Sequence, residues 1–249
     1  ESMGIKTERR RIPVEELAKK STFIETAYLL IYGKLPARKE LSLFSHHLNK
    51  YSMLHEDMIH FFHNIPQKAH PMASLSMMVS ALSIFYKDVF DLEGEFIGRE
   101  PIDITITRLL STIRTIAAFS YKKYKGEPFV YPRPDLKYCA NFLNMMFSSP
   151  VRPYDINEDD VKILNVLLIL HADHEQNCST STVKLVGSSR VNLYASICAG
   201  ICALWGPLHG GANQGVIEML HRILKGNMKI KDVIEKAKSK TESFRLMGF

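Results

Sequence analysis

Apolar residues recur at three- and four-residue spacing along almost the whole of this 249-residue chain, and that period admits helices and little else. The stretch "STFIETAYLLIYG" opens with Thr22 and Glu25 at capping-box spacing and stops at Gly33. Pro36 is placed to start the next helix, through "ARKELSLFSHHLNKY". "HPMASLSMMVSALSIFY" (70–86) is apolar on every side, which predicts deep burial. Helices are also predicted over 102–119 and 135–147. In "NEDDVKILNVLLILHADHE" Asn157 is the N-cap, and acids fill the first turn, where the helix dipole favours them. The pattern continues over 179–188, 191–205, 212–225 and 230–240. "GEPFVYPRPD" and "SSPVRPYD" read as Pro-rich joints. No strand pair, repeat or low-complexity segment stands out. The expected fold class is all-α, with helix packed on helix.

With 46% hydrophobic residues the chain can bury a sizeable core. Net charge is +6, and the basic residues are scattered apart from Lys6 to Arg11, "KTERRR". A solvated surface is the first reading of that cluster and anionic small substrates the second. No aromatic interleaving supports nucleic acid. The longest apolar run, "LYASICAGICALWG" (193–206), is too short to cross a bilayer, so no membrane partner is expected. Cys139, Cys178, Cys198 and Cys202 show neither disulfide nor zinc-ribbon spacing, although Cys198 and Cys202 lie one helical turn apart. They read as small buried thiols in a reducing compartment, which makes a cytoplasmic protein the expectation.

Two stretches could carry chemistry. In "LWGPLHGGANQGVIEML" (204–220), His209 stands between Pro207 and the pair Gly210-Gly211, at the mouth of a helix predicted to start near Ala212. Glycine there permits positive φ or the close approach of another group. The helix N-terminus disfavours a charged imidazolium nearby, and a neutral imidazole still donates one hydrogen bond. That suits an electrophile polarising a carbonyl during enolisation. A simple helix-capping histidine is the competing reading.

The second stretch is "LHADHEQNCSTST" (170–182). His171 and His174 are three residues apart, so they share a helix face that Asn177 continues. Three readings stand open: a polar pocket for a small anion, structural histidines at a helix end, and a metal site. The last lacks an evident third ligand and the four-residue histidine spacing of zinc proteases. Ser179 has no adjacent base and no G-x-S-x-G elbow, which argues against a nucleophile. His46, His47, His55, His60, His63, His70 and His221 read as surface or satisfied core residues.

These two stretches resemble the signature segments of citrate synthases of the bacterial hexameric type. The likeness continues through "AHPMA", "PFVYPRPDL", "NFLNMMFSSP" and "SFRLMGF", from about residue 12 to 249. The resemblance implies a large helical domain over 1–210 and the beginning of a small helical domain over 211–249. It implies condensation of acetyl-coenzyme A with oxaloacetate and water, giving citrate and coenzyme A. Acetyl-coenzyme A is then a substrate, and no cofactor or metal is expected. In the family, the histidine matching His209 hydrogen-bonds the thioester carbonyl and the one matching His174 contacts oxaloacetate. The serine matching Ser179 supports the His209 site, and His171 and Asn177 fall in the oxaloacetate-binding segment.

In the family a Gly-His-Arg motif follows "RLMGF", and the aspartate base and carboxylate-binding arginines come later. None of these is among the 249 residues, so the expectation is a piece of a longer protein, inactive by itself. 2-Methylcitrate synthase, which takes propionyl-coenzyme A, is the related alternative. A non-catalytic fragment that dimerises or binds ligand is the alternative from another class. The helix 191–205 and the region 102–119 look too apolar to face water, which predicts a homodimer, with a hexamer as a trimer of dimers. Hexameric relatives are often inhibited by NADH. Here Tyr51, Thr112, Pro134 and Val151 stand where those relatives carry a histidine, a lysine, an asparagine and a cysteine, while Tyr86 and Arg108 remain, so that inhibition is expected to be weak or absent.

Overall fold

Local chemistry sets the helix ends in the computed structural model, which describes residues 4–6, 11–86, 102–172, 176–239 and 246. After a short strand pair, β1 (Gly4–Lys6) and β2 (Arg11–Pro13), come α1 (Val14–Lys20), α2 (Phe23–Tyr32), α3 (Arg38–Lys50) and α4 (Glu56–Asn64). Then follow α5 (Pro71–Phe85), α6 (Ile102–Lys125), α7 (Tyr138–Phe147) and α8 (Glu158–Ala172). The last four are α9 (Cys178–Gly187), α10 (Leu193–Trp205), α11 (Gly211–Lys225) and α12 (Ile230–Lys238). The all-α class expected from the sequence is the class observed.

At α2 the Glu25 carboxylate accepts the Thr22 N–H at 2.6 Å, and Gly33 closes the helix at φ 73°. These are the box and the left-handed cap that the sequence announced. Several details differ from expectation. Pro36 lies before the N-cap of α3, which is Ala37, and the Glu40 carboxylate accepts the Ala37 N–H at 2.7 Å. An antiparallel pair does form, with Ile5 opposite Ile12. Three-residue strands are too short to display a period of two, so the pair was invisible in the sequence. α6 runs to Lys125, six residues beyond the predicted end. α4, the helix of His60 and His63, has no bounds legible in the sequence, because its N-cap is a histidine: His55 Nδ1 accepts the Asp57 N–H at 3.2 Å.

The main core is built from α4, α5, α6 and α10. Met58, Phe62, Met78, Leu82, Ile116 and Tyr194 are fully buried in it. Each such apolar side chain contributes about 1.5–3 kcal/mol. Phe129, from the "GEPFVYPRPD" joint, stacks on Phe119 at 4.5 Å and 3°. A second cluster joins α1, α2 and α8 through Leu17, Leu29 and Ile169.

α6 carries many buried hydroxyls. Those of Thr107, Thr112 and Ser120 donate to carbonyls one turn back, on Asp103, Arg108 and Ile116. Ser111 and Thr115 donate instead to Leu48 O and Ser52 O, at and just past the end of α3. Near its C-terminus Lys122 is fully buried, and its ammonium donates to Glu127 at 2.6 Å and to Ser148 O at 2.5 Å. Most of the region 102–119 is thus covered by its own chain, although Ile102 at its start is 60% exposed.

Two other burial expectations are corrected. α5 is not buried all round: Met77 and Ile84 are 43% and 63% exposed, because α4, α6 and α10 cover only part of its surface. Of the cysteines only Cys139 is buried, and burial pushes its thiol up to about 11. Cys178 and Cys198 are half-buried and Cys202 is exposed, since α10 turns that face outward. The expected surface position of Lys6 to Arg11 concerns side chains outside the described residues. Among the described residues no helix is long and apolar enough to cross a membrane.

Candidate active site

α10 ends at Trp205, and the chain turns sharply before α11 begins at Gly211, one residue earlier than expected. Gly206 O accepts from both His209 N at 3.2 Å and Gly210 N at 3.0 Å, so this turn is rigidly tied to the end of α10. A Cβ on Gly210 would lie 1.8 Å from Leu204 O, a backbone atom that cannot move aside. Gly210 has φ −90°, so close approach, not a left-handed backbone, is what demands glycine there. Gly211 is different, because its Cβ would meet nothing nearer than 3.9 Å. His209 sits just outside the N-cap, Gly210, with an exposed side chain.

Trp205 is held from below. The His70 ring stacks on it at 5.2 Å and 29°, while His70 Nδ1 accepts the Met72 N–H and caps α5. From the sequence alone His70 reads as a surface or satisfied core residue. The signal available was its place directly before Pro71, at a helix start.

Asn177 is the N-cap of α9, and its Oδ1 accepts the Thr180 N–H at 2.9 Å. The same oxygen accepts the Ser179 hydroxyl at 2.7 Å. Ser179 is therefore oriented by Asn177 and bonds within its own turn. Its segment reaches α10 through Gly200: a Cβ there would lie 2.7 Å from Val183 Cγ2 and 3.5 Å from Ser179 O. α9 and α10 pack this closely because position 200 has no side chain.

His171 occupies the last turn of α8. Its Nδ1 is 2.7 Å from Leu167 O, and its Nε2 is 3.2 Å from Asn213 Oδ1, in the first turn of α11. The structure so brings the His171 stretch against the helix that follows His209. Asn213 was missed in the sequence, where it reads as one more polar residue after the glycines. His174 lies outside the described residues, as do its neighbours Asp173 and Glu175. Among the described residues no three His, Cys, Asp or Glu side chains converge to hold a metal.

A sequence profile of the citrate synthase C-terminal domain matches residues 4–249. Citrate synthase 1 of Mycobacterium tuberculosis (strain H37Rv) is 49% identical over 240 residues, which are 96% of this chain and 55% of that protein. The chain spans about half the length of the curated relatives it matches. Among solved structures, the citrate synthase of Pyrobaculum aerophilum superposes with a TM-score of 0.79 at 34% identity, over 96% of this chain and 58% of that one. The citrate synthase of Thermotoga maritima MSB8 gives 0.69 at 32% identity, over 88% and 58%. The citrate synthase of Thermoplasma acidophilum, solved as a ternary complex with carboxymethyl coenzyme A and oxaloacetate, gives 0.76 at 25% identity, over 95% and 59%. With a profile that matches nearly every residue and solved relatives that share its helical architecture, this chain belongs to the citrate synthase family.

Proposed function

We propose that the protein carrying this chain is a citrate synthase, which joins the methyl carbon of acetyl-coenzyme A to the ketone carbon of oxaloacetate. Hydrolysis of the thioester then yields citrate and coenzyme A. The observation that carries this reading is the rigid Gly206–Gly210 turn, which presents the exposed His209 at the head of α11. An imidazole fixed there can donate a hydrogen bond to the thioester oxygen as the methyl proton leaves, stabilising the enol without reorganising at the moment of reaction. His174 and His171 serve the oxaloacetate side, and Asn177 orients Ser179. The Thermoplasma relative, solved with oxaloacetate and a coenzyme A derivative, supports this substrate pair.

The working form in this reading is a cytoplasmic homodimer or a hexamer of three dimers. The division into a large domain through residue 210 and a small one from 211 belongs to the same proposal. The exposed outer surfaces of α5 and α10, with Met77, Ile84, Leu204 and Trp205, support association. Light scattering that finds a stable monomer at micromolar concentration would count against it.

The test of function is His209→Ala in the protein that carries this chain, assayed for thiol release from acetyl-coenzyme A with oxaloacetate. Turnover is expected to fall about 10²–10³-fold, the usual cost of one such donor, with oxaloacetate affinity nearly unchanged. An unaltered rate would remove His209 from the chemistry. Faster turnover with propionyl- than with acetyl-coenzyme A would change the acyl substrate.

A further inference from the structure

α11 follows the proposed electrophile directly, yet none of its residues is buried against the rest of the described chain. The turn at 206–210 fixes where α11 begins. The side-chain bond from Asn213 to His171 reaches across to α8, from the first turn of one helix to the last turn of the other.

We propose that Asn213 is a positioning residue, which with His171 latches the head of α11 to the end of α8 and so fixes the direction in which His209 points. The inference rests on the citrate synthase reading for its consequence, but not for the latch itself. Leu167 O can only accept, so His171 Nδ1 carries a proton in any charge state of the ring. In a neutral ring Nε2 is then an acceptor and needs the amide N–H of Asn213. In an imidazolium it is a donor and needs the amide oxygen. The Asn213 amide supplies both, by turning over. Asparagine thus keeps the latch closed whichever form His171 takes, which neither aspartate nor leucine could do.

Two measurements test this. In the protein that carries this chain, ring 15N resonances should identify His171 as protonated at Nδ1, and Asn213→Leu should speed amide exchange over residues 209–216. His171→Leu should do the same, and the double variant should add nothing further. A ring protonated only at Nε2, or additive effects of the two variants, would overturn the latch. In the protein that carries the chain, Asn213→Leu should lower kcat by about 10²-fold, as misplacement of a catalytic group does. KM for acetyl-coenzyme A should stay within about threefold, the pattern of an interaction felt in the transition state. Asn213→Asp, which keeps one of the two bonding modes, should recover part of the loss. A KM effect without a kcat effect would show that Asn213 does not position His209. If no citrate forms even with the natural sequence, the functional reading fails, while the resonance and exchange results still decide the latch.

Discussion

Gly200 and Val183 touch where α10 crosses α9: a methyl group on Gly200 would come within 2.7 Å of Val183 Cγ2. Valine is stiff about χ1 and cannot swing clear. Gly200→Val is therefore expected to force the helices apart, at about 1–3 kcal/mol for overpacking. Gly200→Ala should cost less, because alanine regains about 1 kcal/mol of helix propensity. Urea midpoints of the two variants check the order. In the active protein Gly200→Val should also slow turnover, since the displaced helix carries Ser179.

Gly210 and Gly211 are adjacent yet should respond oppositely. Gly210→Ala collides with a carbonyl 1.8 Å away and is expected to lose more than about 2 kcal/mol, the range of backbone strain and overpacking. Gly211→Ala meets only ordinary contacts and should change stability by less than about 1 kcal/mol. Thermal unfolding of the pair distinguishes a close-approach glycine from a merely permissive one.

His70 has two duties that substitution can separate. His70→Ala should lose the α5 cap, about 1 kcal/mol, and the ring contact with Trp205, about 0.5–1.5 kcal/mol. His70→Asn keeps an acceptor at the cap and should lose only the second. Trp205 is the sole tryptophan, so its fluorescence reports the stack directly. Both variants should shift the emission, and only His70→Ala should destabilise α5.

The buried Lys122 gives a pH dependence of known sign. Its hydrogen bond holds the Glu127 carboxyl below the ordinary 4.5. Folding thus favours the ionised carboxylate more than the unfolded chain does. This contribution is present above the unfolded pKa and is lost as pH falls through the folded pKa. Wild-type stability should decline as acid is added below about pH 4.5, and Glu127→Gln should decline less over the same window. Parallel curves for the two proteins would contradict the assignment.

NADH should inhibit the active protein weakly or not at all. The Arg108 guanidinium carbon lies 3.9 Å from the centre of the Tyr86 ring and 4.6 Å from that of Tyr51. Two aromatic rings already claim its faces, and the Thr112 hydroxyl is committed to Arg108 O at 2.8 Å. Submillimolar inhibition at physiological salt would refute this.

What could be read from the sequence was chemistry that closes within a few residues. The Thr22–Glu25 box, the Gly33 cap and the special backbone around His209 are of this kind. What could not be read depends on distant partners. α6 continues past 119 because Lys122, a charged residue that looks like an exposed end, finds Ser148 O twenty-six residues away. The tie from His171 to Asn213 spans forty-two residues and has no signature in either stretch alone. The need for glycine at 210 was legible, but not which of positive φ and close approach required it, since Leu204 O reaches it only after the turn has formed.

The hydroxyls of Ser111 and Thr115 have a consequence for the order in which the chain assembles. The carbonyls they satisfy, on Leu48 and Ser52, lie sixty-three residues earlier. A helix end with open carbonyls frays until partners arrive. The Leu48 carbonyl gains this protein partner only once α6 has been made and docked, after an entropically costly loop has closed. α3 begins from its own sequence at Ala37 and Glu40, but one carbonyl of its last turn, on Leu48, is satisfied by a part of the chain synthesised much later.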